Sequence, residues 1–126
     1  VGETWYAKPD AGNIIISPAD KQMVSAHDAW ADDETLAAGI QSFQGVVNFP
    51  INRMLANWAG LRSFAPDGNL VIGPDKKNSS FFWFAGQGGY GFQTAAAASQ
   101  LLSDLLLEKN VSVDSEILEA LLPGRF

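Results

Sequence analysis

The pattern of apolar, β-prone runs separated by polar turn residues predicts two hairpins. Four β-prone runs flank two turns: residues 4–7 and 13–17 about KPDAG (8–12), and residues 61–65 and 69–73 about PDG (66–68). In each turn, proline presets one backbone dihedral and glycine accepts a positive one. Two such hairpins predict an antiparallel sheet.

Helical spacing of apolar residues marks two longer segments. The first is capped by Asp32 or Asp33, has apolar residues at positions 36, 40, 43 and 47, and should end near Gln44, because Gly45 interrupts it. The second, Ala95 to Leu107, consists of strong helix formers with a narrow polar stripe, so we expect the rest of its surface to be buried. A short helix over residues 114–122 should stop at the following Pro-Gly.

Two further runs are predicted to be strands. Residues 52–58 predict a long strand that continues toward Phe64. The run FFWFA at 81–85 is apolar throughout, which is typical of a strand covered on both faces. The order strands, helix, strands, helix, helix predicts an α+β domain in which helices pack on an antiparallel sheet.

Composition and charge exclude several classes of function. The net charge of -6 argues against nucleic-acid binding, and the absence of cysteine excludes disulfides and thiolate metal sites. No apolar run approaches the roughly 20 residues of a membrane span. No signal peptide is visible, so we expect a cytoplasmic location. Because the chain starts at Val-Gly-Glu without methionine, we also expect it to be cut from a longer protein.

A glycine-rich loop is the strongest local signal for a ligand. Four glycines lie within six residues between the apolar strand and the long helix: Gly86, Gly88, Gly89 and Gly91. Glycines let a ligand approach the backbone, and a helix N-terminus attracts electron-rich atoms. The frame formally matches GxGxxG, but no acidic residue ends a second parallel strand about 20 residues later. A tight strand-to-helix turn without a ligand is the alternative.

Arg62 and His27 are the other candidates for chemistry. Arg62 lies in an apolar strand-like run, where its planar fork suits a substrate carboxylate or, alternatively, an acidic residue of the protein itself. His27 is the single histidine and lies in a polar connection, so we expect a surface role for it and no metal site.

Taken together, these segments resemble the C-terminal region of FAD-dependent oxidoreductases of the D-amino-acid oxidase superfamily. The D-arginine dehydrogenase-like and glycine or sarcosine oxidase-like enzymes look most similar. The likeness runs over nearly the whole chain and is carried by an ordered set of motifs: YAKPDAG (6–12), WAGLRSF (58–64), APDG (65–68), VIG (71–73), FFW (81–83) and GQGGYGFQT (86–94).

The resemblance implies roles for particular residues. Arg62 would pair with the substrate carboxylate, Tyr6 would lie near that carboxylate, and the carbonyl of Gly89 would face the substrate amine. The flavin would lie against the loop and the start of the helix, at Gly88, Gly89, Tyr90, Gly91, Phe92, Gln93 and Thr94. There the helix dipole would stabilise negative charge near N1 and O2 of the reduced flavin. The resemblance assigns no catalytic residue in this chain.

The family's reaction moves a hydride from the amine-bearing carbon of the substrate to flavin N5, giving an imine that hydrolyses to a keto acid. By resemblance, residues 1–75 are the C-terminal part of the substrate-binding domain, and residues 76–126 are the last strand and helices of the FAD-binding domain. The N-terminal Rossmann βαβ unit that binds the FAD pyrophosphate in this family is not found in these 126 residues.

The resemblance therefore implies a full-length flavoprotein that binds FAD and oxidises an amino acid or related amine. This chain would be its C-terminal fragment, with the N-terminal FAD-binding half as its partner. We expect the fragment alone to be inactive and prone to self-association. Two alternatives stay open: a non-catalytic binding or subunit domain that completes a flavoenzyme in a complex, and a structural domain whose motifs serve only packing.

Overall fold

A computed structural model describes residues 4–126, and the chain separates into two compact units, one ending at Leu61 and one running from Arg62 to Phe126. The elements are β1 (Trp5–Asp10), β2 (Asn13–Pro18), α1 (Asp33–Gln44), β3 (Val71–Pro74), β4 (Phe82–Ala85), α2 (Gly91–Leu106), α3 (Ser115–Leu121) and a 3-10 turn (Pro123–Arg125). Within the described residues, β1 pairs with β2 and β3 with β4, both antiparallel. The predicted α+β class is confirmed.

The first hairpin is confirmed, with a shorter turn than the sequence indicated. Ala11 and Gly12 form the turn with φ angles of 46° and 83°. Positive φ at both central positions is typical of the two-residue turn that matches the twist of its strands. Pro9 lies within β1 opposite Ile14 instead of in the turn.

Helix α1 begins and ends where the sequence predicts. Asp32 caps its N-terminus: Oδ2 accepts hydrogen bonds from the backbone N of Thr35 at 2.8 Å and from its hydroxyl at 2.7 Å. These bonds hold the pKa of Asp32 below its usual value. The ring of Phe43, only 2% exposed, packs edge-on against Trp5 and Phe49 at centroid distances of 5.5 and 6.4 Å. This aromatic cluster is the packed centre of the first unit.

The core of the second unit forms between β3 and α2. Ile72 on β3 is 1% exposed and clusters with Ala98 and Leu101 of α2, which are 5% and 4% exposed. Partly buried apolar side chains surround these three: Leu70, Leu102, Leu105, Val111, Val113, Leu118 and Leu121. Burying such side chains is the main favourable term in folding, so β3, α2 and α3 stabilise one another.

The predictions for the middle of the chain were partly wrong. Residues 47–65 carry no helix or strand, and the partner of β3 is β4, not residues 61–65. A strand needs neighbours for its backbone groups, and residues 62–65 lie instead against the glycine loop, where the N–H of Gly88 donates to the carbonyl of Ser63 at 2.9 Å.

The expected burial of the apolar strand and helix is also incomplete. Strand β4 forms as predicted, yet the side chains of Phe81, Trp83 and Phe84 are 49%, 39% and 43% exposed. Leu106 and Leu107 at the end of α2 are more than half exposed. These side chains lack covering neighbours within the described residues.

No helix of residues 4–126 is long and apolar enough to cross a membrane.

An ion pair joins the end of the chain to the turn before β3. Arg125 donates from Nε to Oδ2 of Asp67 at 2.6 Å and from Nη2 to Oδ1 at 3.1 Å. The Arg125 side chain is 13% exposed, and it also donates to the carbonyls of Leu121 and Leu122 at the end of α3. The hydrogen bonds from Arg125 lower the pKa of Asp67 from 3.8 to about 2.

Asp67→Asn should destabilise the second unit near neutral pH, because it removes the charged acceptor of Arg125. Since the folded pKa lies below the unfolded one, the pair stabilises the fold above pH 3.8, and this contribution is lost as the pH falls from 3.8 towards about 2. Urea midpoints of wild type and variant should therefore differ most near neutral pH and converge in acid.

Asp114→Asn is the matched control, since it removes the same charge from an exposed residue whose side chain makes no capping hydrogen bond. An equal loss of stability in both variants would contradict a specific role for the Asp67 carboxylate.

Candidate functional site

The glycine loop joins β4 to α2 and lies against residues 62–65 of the same unit. Besides the hydrogen bond from Gly88 to Ser63, the N–H of Tyr90 donates to the carbonyl of Gln87 at 3.0 Å and closes a turn within the loop. Gly88 has a φ of 51°, a conformation that glycine adopts without the strain of a side chain. The loop backbone is therefore tightly folded and pressed against its neighbour.

The side chain of Arg62 lies over this backbone. A Cβ added to Gly89 would come within 2.9 Å of Nη1 of Arg62. The Cζ atom of Arg62 is 5.5 Å from the centre of the Phe64 ring, within the range of a cation–π contact. The structure thus brings together Arg62 and Gly89, which the resemblance had assigned to the two ends of one substrate.

Phe64 is a member of this cluster that the sequence analysis did not assign to the site. A Cβ added to Gly88 would lie 2.6 Å from Cε1 of Phe64, so the ring occupies the space that a side chain at position 88 would need. In an extended chain, residues i and i+2 point to one side. The spacing of Arg62 and Phe64 is the signal that could have indicated the pair.

Tyr6, the other predicted substrate residue, belongs to the first unit. It lies on β1 opposite Ser17, and its side chain is 56% exposed. Its role near the substrate carboxylate stays a prediction.

The predicted flavin segment includes the N-terminus of α2, which begins at Gly91 and not after Thr94. No side chain caps this end, and its first turn holds no acidic residue. The polar groups of Thr94 already have a partner, since its N–H and its hydroxyl both donate to the carbonyl of Tyr90, at 3.0 and 2.8 Å. The ring of Phe92 is fully exposed, at 101%.

These residues fit the electron-rich edge of a flavin ring. The uncapped amides of the first helical turn carry a partial positive charge. The side-chain Nε2 of Gln87 is buried and has no hydrogen-bond partner among the described residues, and a buried amide without a partner calls for an acceptor. The donors at the start of α2 thus match an electron-rich ligand, and the first turn of the helix holds no carboxylate that would oppose it.

Comparison with known proteins supports the same family. A model of the family described as FAD dependent oxidoreductase matches residues 2–105. A D-amino acid dehydrogenase of Sinorhizobium medicae (strain WSM419) is 31% identical over 58 residues, which are 46% of this chain and 14% of that protein. The matched region therefore spans about one seventh of the length of this curated relative.

Gly88→Ala should destabilise the full-length protein by about 1–3 kcal/mol, because alanine is strained at positive φ and its methyl would collide with Phe64. Gly60→Ala is the control: no heavy atom lies within 4 Å of its added Cβ, so a change within about 0.5 kcal/mol is expected. Urea unfolding measures both, and equal midpoints for the two variants would contradict the close approach.

Proposed function

The chain belongs to the FAD dependent oxidoreductase family, and on this basis we propose that its full-length protein dehydrogenates an amino acid or a related amine. In this proposal the chain contributes the arginine that binds the carboxylate of the substrate, and it also contributes part of the flavin site. The relative's name, D-amino acid dehydrogenase, supports an amino acid as the substrate class.

The position of Arg62 over Gly89 is the observation that carries the proposal. A guanidinium presents two parallel N–H donors that match the two oxygens of a carboxylate. With the acid group held by Arg62, the neighbouring carbonyl of Gly89 is available to accept a hydrogen bond from the substrate's amine. The two contacts together would fix the carbon that lies between the acid and the amine.

FAD is the proposed cofactor of the full-length protein. When bound, the flavin supplies the two-electron oxidation of the carbon that bears the amine. The backbone from Gly88 to Thr94 would hold its electron-rich edge through the first-turn amides of α2, whose dipole favours negative charge there. Gly89 belongs to this segment and Arg62 lies beside Gly89, so the substrate and the cofactor would meet at one end of one helix.

Three further statements belong to this proposal and stay predictions. Tyr6 lies near the substrate carboxylate, as the family resemblance implies. The boundary between the family's substrate-binding and FAD-binding domains falls near residue 75. The protein is cytoplasmic.

Arg62→Ala in the full-length protein should raise the KM for a D-amino acid by about two orders of magnitude, because it leaves the bound carboxylate without its charged donor. The KM for the corresponding amino-acid amide, which has no carboxylate, should change little. Gly89→Ala should act in the same direction more weakly, since its methyl would displace Nη1 of Arg62. Equal effects of Arg62→Ala on both substrates would contradict the assignment.

The isolated 126-residue chain should retain little or no FAD and show no amine oxidation, because these residues contain no pyrophosphate-binding βαβ unit. The absorbance of the purified chain in the flavin band measures this. A stoichiometric flavin band would contradict the prediction.

Titration separates the enzyme fragment from the alternative, a subunit domain that completes a flavoenzyme. Tight binding to a separately expressed N-terminal half, in the absence of FAD, would favour the subunit domain. Light scattering in the same experiment tests self-association, which we propose for a chain with the exposed apolar side chains of β4.

A further inference from the structure

We propose that Arg125, acting through Asp67, is a positioning residue for the substrate-binding Arg62. This inference rests on the function proposed for Arg62. Arg125 lies beyond the family match at residues 2–105, and neither the resemblance nor the comparisons assign it to the site.

The segment that carries Arg62 depends on contacts with neighbouring segments for its position. Residues 61–65 form no helix and no strand, so no ladder or helical hydrogen bonds fix their backbone. The hydrogen bond from Gly88 to Ser63 holds the segment on one side. Its other end runs directly into the turn at 65–68, where the N–H of Gly68 donates to the carbonyl of Ala65 at 2.9 Å.

Arg125 holds that turn in place. Its guanidinium binds both carboxylate oxygens of Asp67, at 2.6 and 3.1 Å, and donates to the carbonyl of Asn69 at 3.3 Å. A two-point contact between a planar guanidinium and a carboxylate fixes orientation as well as distance. Because Nη1 of Arg125 also bonds to two carbonyls of the α3 terminus, the turn is attached to a helix that packs on the core.

The attachment extends from the turn to the glycine loop. The carbonyl of Asn69 and the backbone N of Ala65 lie 3.1 and 3.5 Å from where a Cβ of Gly86 would stand. Pro123 and Phe126, near the end of the chain, line the same open cleft as Phe64 and Ala65, which follow Arg62. A shift of the Asp67 turn would therefore move the backbone on which Arg62 and Phe64 are placed.

A small displacement of a binding group is sufficient to weaken substrate binding. Loss of the Asp67–Arg125 pair should leave the flavin segment of α2 in place, since that helix is held by Ile72 and its own core contacts. The expected defect is consequently confined to recognition of the carboxylate.

The test uses the full-length protein with its flavin bound. Arg125→Gln, Asp67→Asn and the double variant are compared on two probes, the best substrate among the D-amino acids and its carboxamide. Each single variant should raise the KM for the amino acid roughly three- to tenfold, with little change in kcat, in flavin content or in the KM for the carboxamide. The double variant should be no worse than the singles, because both remove one interaction.

Two further variants complete the design. Arg53→Gln removes the same charge from an exposed arginine of the first unit and should leave every parameter unchanged. Arg125→Lys keeps the charge but loses the planar fork, so it should give an intermediate KM. If Arg125→Gln fails to fold, Asp67→Asn carries the same expectation, and Arg125→Lys carries the expectation of an intermediate KM.

An unchanged KM for the amino acid in the Asp67 and Arg125 variants would overturn the inference, as would an equal rise on both probes, which indicates a purely structural role. If Arg62→Ala itself fails to distinguish the amino acid from its carboxamide, the proposed function of Arg62 is wrong. If Arg62→Ala distinguishes them and the Arg125 variants do not, only the positioning role is wrong.

Discussion

The candidate site depends on the contact between residues 62–64 and the backbone of the glycine loop. One hydrogen bond, from Gly88 to Ser63, sets the distance between the two segments. At that distance the ring of Phe64 and the guanidinium of Arg62 occupy the positions that side chains at 88 and 89 would fill. At position 88 the positive φ and the Phe64 ring both favour glycine, whereas at position 89 only the guanidinium of Arg62 opposes a side chain. A ligand that approaches the loop meets the bare backbone and the arginine together.

This contact places two kinds of electrostatic attraction side by side. The guanidinium of Arg62 carries a full charge, whereas the uncapped start of α2 carries only the partial charges of its amides. A charged donor suits an anionic group, and a set of weak dipoles suits an edge whose negative charge appears only during reaction. The difference between the two donors accounts for the proposed assignment of the carboxylate to one and the flavin to the other.

Local patterns in the sequence were sufficient to predict those elements whose structure is determined by local interactions. The first hairpin follows from its turn residues, α1 follows from the Asp32 cap and the spacing of its apolar residues, and the glycine loop lies between a strand and a helix as expected. The strand predicted to continue to Phe64 did not form, because strand propensity shows only that a run suits a sheet. The presence of a neighbouring strand is a property of the tertiary fold.

Contacts between residues that are far apart in the sequence could not be predicted from the sequence. Arg125 pairs with Asp67, which lies 58 positions earlier in the chain. The sequence contains fourteen acidic residues and does not indicate which of them is the partner. Phe64 was overlooked for a different reason, because its one signal, the spacing of two residues from Arg62, indicates a shared side of the chain and no particular role. Arg62 was a candidate from its own sequence context, the family resemblance gave it and Gly89 specific roles, and the structure then added the neighbours that hold them.

The sheet of the second unit has only two described strands, β3 and β4. A ribbon of two strands twists more strongly about its axis than a wide sheet does. Because residues 86–90 continue from β4, the direction in which they leave the ribbon follows this twist. Pairing of a third strand with β3 or β4 would flatten the ribbon and rotate the loop relative to α2. The direction of the loop therefore depends on the number of strands in the sheet from which it leaves.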